Sequence, residues 1–225
     1  MPAWLLGAAQ SNASFRKMSG GYTVRMRRHS NPGVEAVRVA PPTNPTERVI
    51  KGIERSSALD LPSKAFDAAS STLNESRAGP LLRGTPIGHA LHPLLTDFPL
   101  GCWLSAGLLD LVGGSAARSS SRRLIGLGVL TAIPTALAGL AEWRSLFDRS
   151  TRRVAVVHAT GNLVVVSLYL LSWLRRREGR RGAGTAWGMA GGLLAIFTGY
   201  LGGHLSFGRG VGEGERWPTV TPDGS

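Results

Sequence analysis

The chain has 225 residues and a formal net charge of +12, from 26 Lys+Arg against 14 Asp+Glu; charged residues make up 18% and hydrophobic residues 43%. One cysteine, Cys102, excludes an intramolecular disulfide, Cys-rich zinc sites and a cysteine-ligated iron–sulfur cluster within the chain. The basicity is nearly all arginine, gathered at the edges of apolar runs and not on one recognition face, so no nucleic-acid partner is expected.

Residues 1–45 read as a disordered basic arm. "PAWLLGAA" is apolar but short and has no basic region before it, unlike a secretory signal. "YTVRMRRHSNPG" and "VAPPTNPTER" carry loop chemistry. Residues 46–90 turn helical. Asn44 or Thr46 caps a helix with Val49, Ile50 and Ile53 at helical spacing. Ser63 caps a second, with Phe66, Ala69 and Leu73 on one side. Both read as short amphipathic helices on a bilayer or protein surface.

Four apolar runs follow: Pro93–Gly114, Leu124–Phe147, Val154–Leu174 and Gly184–Phe207. About 20 residues of helix at 1.5 Å each span a bilayer core. Short arginine-rich connections join them. The expected fold is an all-α membrane protein: a four-span antiparallel transmembrane bundle over 91–208, with a flexible tail at 209–225. Trp103, Trp143, Trp173 and Trp187 are expected as interfacial anchors. Gly184, Gly188 and Gly192, with Gly199 and Gly203, and the narrow face Ala132, Ala136 and Leu140, mark close helix contacts.

Antiparallel spans bring the starts of runs 1 and 3 to the ends of runs 2 and 4. His89, His92 and Asp97, then Glu142, His158 and His204, thereby fall on one membrane side. Asn162 and Tyr200 lie four residues from His158 and His204 and support them. Ionisable groups inside spans face protein or water, because lipid cannot solvate them. Histidines from facing helices suit haem; with Asp97 and Glu142 they suit a divalent metal; the same set could relay protons or simply fix helix register. Pro93 biases His92 away from helix, so His89 and His92 are expected to cap the span and not to point along one face. No nucleophile elbow or phosphate loop accompanies them, and no enzymatic activity is expected.

The stretches "GHALHPLLTDFPLGCWLSAGLLDL", "IPTALAGLAEW", "VVHATGNLVVVSLYLLSWLRR" and "GYLGGHLSFGRGVGE" resemble the bacterial integral membrane domain of unknown function 2231 family. The resemblance covers about Val49 to Glu213. It implies a four-span fold in a bacterial inner membrane and singles out His89, His92, Asp97, Glu142, His158 and His204. Family members are sometimes fused to a Rieske iron–sulfur domain. This implies a redox setting, with haem b as one cofactor and a separate Rieske-type protein as partner, since no such segment occurs here. Arginines flank all three connections, so charge alone leaves orientation open; the basic arm favours both termini inside.

Overall fold

A computed structural model describes residues 13–18, 22–27 and 44–211. Within the segment expected to be disordered, β1 (Ala13–Met18) and β2 (Tyr22–Arg27) pair antiparallel, Ala13 opposite Arg27 and Met18 opposite Tyr22. The rest of that arm, and the tail beyond residue 211, lie outside the described residues.

From residue 44 the described chain is helical. Helix α1 (Pro45–Arg55) is capped by Asn44, whose side chain accepts from the Glu47 N–H at 2.7 Å. Helix α2 (Asp60–Glu75) starts three residues before the expected cap, so Ser63 lies inside it, buried. Its buried face is Ser63, Ser70 and Asn74, flanked by Phe66 and Asp67, while Ala69 is exposed. Of the expected apolar stripe, Phe66 stacks on Trp143 at 4.8 Å and Leu73 is half-buried, but the most buried positions beside them are polar. The cause is what these meet: the end of a helix, where carbonyls lack partners. Asn74 Nδ2 donates to the Ala141 carbonyl at 3.0 Å, and Trp143 Nε1 donates to Asp67 at 2.7 Å.

The short α3 (Gly79–Leu82) and a turn through Gly84 deliver the chain to the bundle. Gly84 has φ +75°, and a Cβ there would strike the His89 carbonyl. The bundle comprises α4 (Leu91–Val112), α5 (Arg118–Glu142), α6 (Arg149–Arg177) and α7 (Arg181–Gly203). Each packs on the next, and α7 packs back on α4. Helices α4 and α6 are therefore diagonal, as are α5 and α7. A π-helical turn, His204–Gly208, closes α7.

Three helices are long and apolar enough to cross a membrane: Leu91–Val112, Arg118–Ser145 and Arg149–Arg177. Helix α7 falls outside that set, because its many glycines, with Thr185, Trp187, Thr198 and Tyr200, dilute its hydropathy. Large apolar side chains cover the outside of the bundle, among them Phe98, Leu104, Leu130, Ile133 and Leu163. In a soluble domain such a coat would be unfavourable; lipid accepts it.

The core has two layers. One joins Trp103, Ala106, Ile125, Ala132, Val165 and Tyr169 in mid-bundle. The other joins Ile50, Trp143, Leu146, Val154, Leu201 and Leu205 where α1 and α2 dock. Trp103 and Trp143 are thus core residues and not interfacial anchors, at 6% and 4% exposure. Among the small residues, Gly184, Gly188 and Gly192 do face α6 side chains, whereas Gly199 faces open space. On α5 the packed row is Gly128, Ala132, Thr135 and Ala138; Ala136 is exposed.

Candidate functional site

Two of the four bundle helices contribute an imidazole to the bundle interior. Helix α4 begins at Leu91, so His92 lies in its first turn, contrary to the expectation drawn from Pro93. Proline is tolerated there, since first-turn N–H groups have no intrahelical partner. The His92 N–H, one of those orphan donors, is taken by Glu142 Oε1 at 3.0 Å. Ala90 offers α4 no side-chain cap, so the α5 carboxylate supplies one from outside. His92 Nδ1 lies 2.8 Å from the Thr135 carbonyl of α5.

His158, on α6, repeats the arrangement. Its Nδ1 lies 2.9 Å from the Thr198 carbonyl of α7, and Asn162 Nδ2 is 3.1 Å from its Nε2. A carbonyl oxygen only accepts, so both bonds place the hydrogen on Nδ1. In each neutral ring Nε2 is left as the acceptor. The rings face each other across the bundle at 6.3 Å between centroids, with planes at 90°. Each rests on a glycine: a Cβ at Gly139 would come 2.9 Å from His92 Nδ1, and one at Gly202 would come 2.8 Å from His158 Cε1.

The remaining expected members are elsewhere. His89 is exposed in the turn before α4. Asp97 is exposed on α4 beside Phe98, about two helical turns from the start of that helix. Tyr200 is 47% exposed on the outer face of α7. His204 turns toward α1, its buried Nε2 3.8 Å from Glu54 Oε1 and without a hydrogen bond. Among the described residues no three His, Cys, Asp or Glu side chains converge as a metal site. Helical periodicity explains the separation: His89 precedes the helix, and Asp97 lies five residues beyond His92, on another face.

Glu54 gathers its own set outside the spans. It pairs with Lys51 at 2.9 Å and with Arg209, and its carbonyl accepts from Arg153 Nη1 at 2.8 Å. Burial pushes its carboxyl up, but the bonds from Lys51 and Arg209 outweigh this and hold it below the usual carboxylate range. Arg153 also grips Asp60 through Nε and Nη2, at 2.7 and 2.8 Å. These bonds fasten the first two helices over the bundle end that carries the histidines.

At the opposite end lies a feature that sequence reading missed. Asp110 is buried against Arg176, with Arg176 Nη2 to Asp110 Oδ2 at 2.5 Å and Nη1 to Oδ1 at 2.9 Å. Ser121 donates to Asp110 at 2.8 Å, and Arg181 approaches it at 3.5 Å. The side chains of Arg176 and Asp110 are 4% and 10% exposed. Asp110 is the one acid within an apolar run at that end, and the connections beside it are rich in arginine, which is a signal that one of them would turn inward.

A family model described as "Predicted membrane protein (DUF2231)" matches residues 88–215, more than half of the chain. The chain belongs to this family, and it is a membrane protein. No curated protein and no solved structure matches it.

Proposed function

We propose that the chain is a four-span, non-enzymatic module of the bacterial inner membrane, and that His92 and His158 would together hold a haem for electron transfer. Helix α7 serves as the fourth span in this reading. It has 23 residues, no charged side chain after Arg181, and exposes Met189, Leu193 and Ile196 at 65%, 70% and 72%.

One observation carries the ligand reading: two imidazoles on diagonal helices face each other at 6.3 Å, each with Nδ1–H committed to a backbone carbonyl. Metal-bound histidines characteristically make this second bond, which fixes ring and tautomer. Two histidines and one carboxylate can hold a divalent ion, but Glu142 Oε1 is engaged by the His92 backbone N–H, and among the described residues no three such side chains converge. A haem brings four nitrogens of its own, so two imidazoles would suffice to hold it. When bound, it supplies one-electron chemistry. The Thr135 and Thr198 carbonyls orient the rings. Gly139 and Gly202 give them room. Asn162 must release His158 Nε2. Electrons would come from a separate partner, such as a Rieske-type protein.

The Asn162–His158 bond favours a second reading, in which the layer holds no cofactor and its Nε2 acceptors take up a proton. Protein purified in detergent decides between the two. Haem binding gives a Soret band and bound iron, both lost in His92→Ala and His158→Ala and retained in Asn162→Ala. Colourless, iron-free protein overturns it. Proton handling then predicts pH-dependent flux in liposomes that disappears in Glu142→Gln.

A further inference from the structure

The segment Gly128–Gly139, GVLTAIPTALAG, aligns without a gap on Gly191–Gly202, GGLLAIFTGYLG. Glycine, leucine, alanine, isoleucine, threonine and glycine recur at the same places: Gly128, Leu130, Ala132, Ile133, Thr135 and Gly139 match Gly191, Leu193, Ala195, Ile196, Thr198 and Gly202. The helices that precede them correspond as well. His92, Trp103 and Asp110 on α4 stand at the places of His158, Tyr169 and Arg176 on α6, a constant offset of 66 residues. Arg118 opens α5 as Arg181 opens α7.

The contacts repeat with the residues. His92 meets the Thr135 carbonyl and rests on Gly139; His158 meets the Thr198 carbonyl and rests on Gly202. Trp103 lies on Gly128 and Tyr169 on Gly191, where an added Cβ would come 2.9 and 3.0 Å from a ring Cε2. Ser121 of α5 donates to the Ala106 carbonyl of α4, while Ser172 of α6 donates to the Gly184 carbonyl of α7. Those four positions correspond, with the serine moved to the other helix of its pair. Helices α4 and α6 run in the same direction and are diagonal, as are α5 and α7.

We infer that the bundle is one helical hairpin repeated in tandem, with α4–α5 and α6–α7 related by a pseudo-two-fold axis along the helices. On such an axis a residue meets its own counterpart. Three layers do so: His92 with His158 at 6.3 Å, Trp103 stacked on Tyr169 at 4.1 Å and 7°, and Asp110 on Arg176. Rings pair favourably with like rings. Like charges buried together repel, so the charged layer needs two different residues, which a tandem chain permits and a symmetric homodimer does not. The histidine centre is then two equivalent half-sites that share one ligand with two equivalent faces. In its ligand this rests on the haem reading above, and it sets one haem per chain, not one per hairpin.

The test exchanges counterparts within the full-length chain. Asp110→Arg or Arg176→Asp alone puts like charges on the axis, and each should abolish the monodisperse detergent-solubilised peak. The double exchange restores the pair in mirrored order. Arg118, which lines the same cavity as Arg176 and Arg181, then takes over the part of Arg181. Recovery of the folded peak and a melting temperature near that of the parent supports the repeat. Trp103→Tyr with Tyr169→Trp provides a milder exchange, expected to melt within a few degrees of the parent and above either single variant. Exchanges no better than their single variants in both layers overturn the symmetry. The haem-to-chain ratio tests the shared site separately: one supports it and two overturns it. If no haem binds, the haem reading falls, while the exchanges still decide the repeat.

Discussion

Asp110 and Arg176 show how one pair can govern a bundle end. Both are buried, and their remaining polar atoms are bonded to Ser121, Ser172 and Thr185. Removing one partner strands a charge in a low-dielectric site, which costs about 3–5 kcal/mol. Asp110→Ala should therefore lower stability by that order in a detergent melt, whereas Asp110→Leu with Arg176→Met should recover much of it. A loss below about 1 kcal/mol in the single variant, the size typical of exposed pairs, would contradict the buried lock. Asp148 tests a different residue-scale effect. Burial raises its pKa, but Ser150, the Thr151 hydroxyl and the Thr151 N–H more than offset this and hold it at about 2. A depressed carboxylate stabilises fully above its unfolded value, roughly 3.9, and loses that contribution as pH falls toward 2. Asp148→Ala should remove about 1 kcal/mol at neutral pH, as for an exposed helix cap, and flatten the stability profile between about pH 4 and pH 2. An unchanged acid limb would show that this cap contributes nothing.

At the scale of elements, α1 and α2 were legible as helices but not in what they bury. An amphipathic helix before a span could lie on lipid; here Ile50 and Ile53 enter a core made with α6 and Leu205. Charges do the fastening. Glu54 binds Arg209, Arg153 binds Asp60, and Arg152 reaches Asp67 at 3.3 Å. Glu54→Ala removes the acceptor common to Lys51 and Arg209 and should loosen α1 without unfolding the spans. Trypsin should then cut at Arg48, Lys51 or Arg55 at least tenfold faster, with the bundle fragment intact. Equal rates would mean that the apolar contacts of Ile50 alone hold the helix. The polar face of α2 escaped sequence reading because Ser63, Ser70 and Asn74 are ordinary surface residues until a neighbouring helix end requires donors.

At the scale of the whole molecule, the proposed four spans with both termini inside make a directional prediction. In a Cys102→Ala background, Ser115→Cys lies between α4 and α5, and Ser145→Cys between α5 and α6. A membrane-impermeant maleimide added to intact cells should label Cys at 115 and spare Cys at 145 and at 225, the last introduced as Ser225→Cys. Labelling at 225 together with 115 would remove α7 as a span; labelling at 145 alone among the loop sites would invert the orientation.

Composition and hydropathy determined the membrane class, the apolar runs and the side of each ionisable residue, because these depend only on chain order and alternating direction. That His92 and His158 share a side was legible in this way, but their pairing was not, because Pro93 was expected to turn His92 away from the helix that instead carries it inward. Which members of the set turn inward was not. His89, Asp97, Tyr200 and His204 lie on the same side yet outside the pair, because inwardness depends on where each helix begins and how it is rotated in the bundle. Helix rotation is set by packing, here by glycines that admit a ring at one face and not another. The same packing drew Trp103 and Trp143 into the core and folded Asp110 onto Arg176 across a distance that no local pattern records.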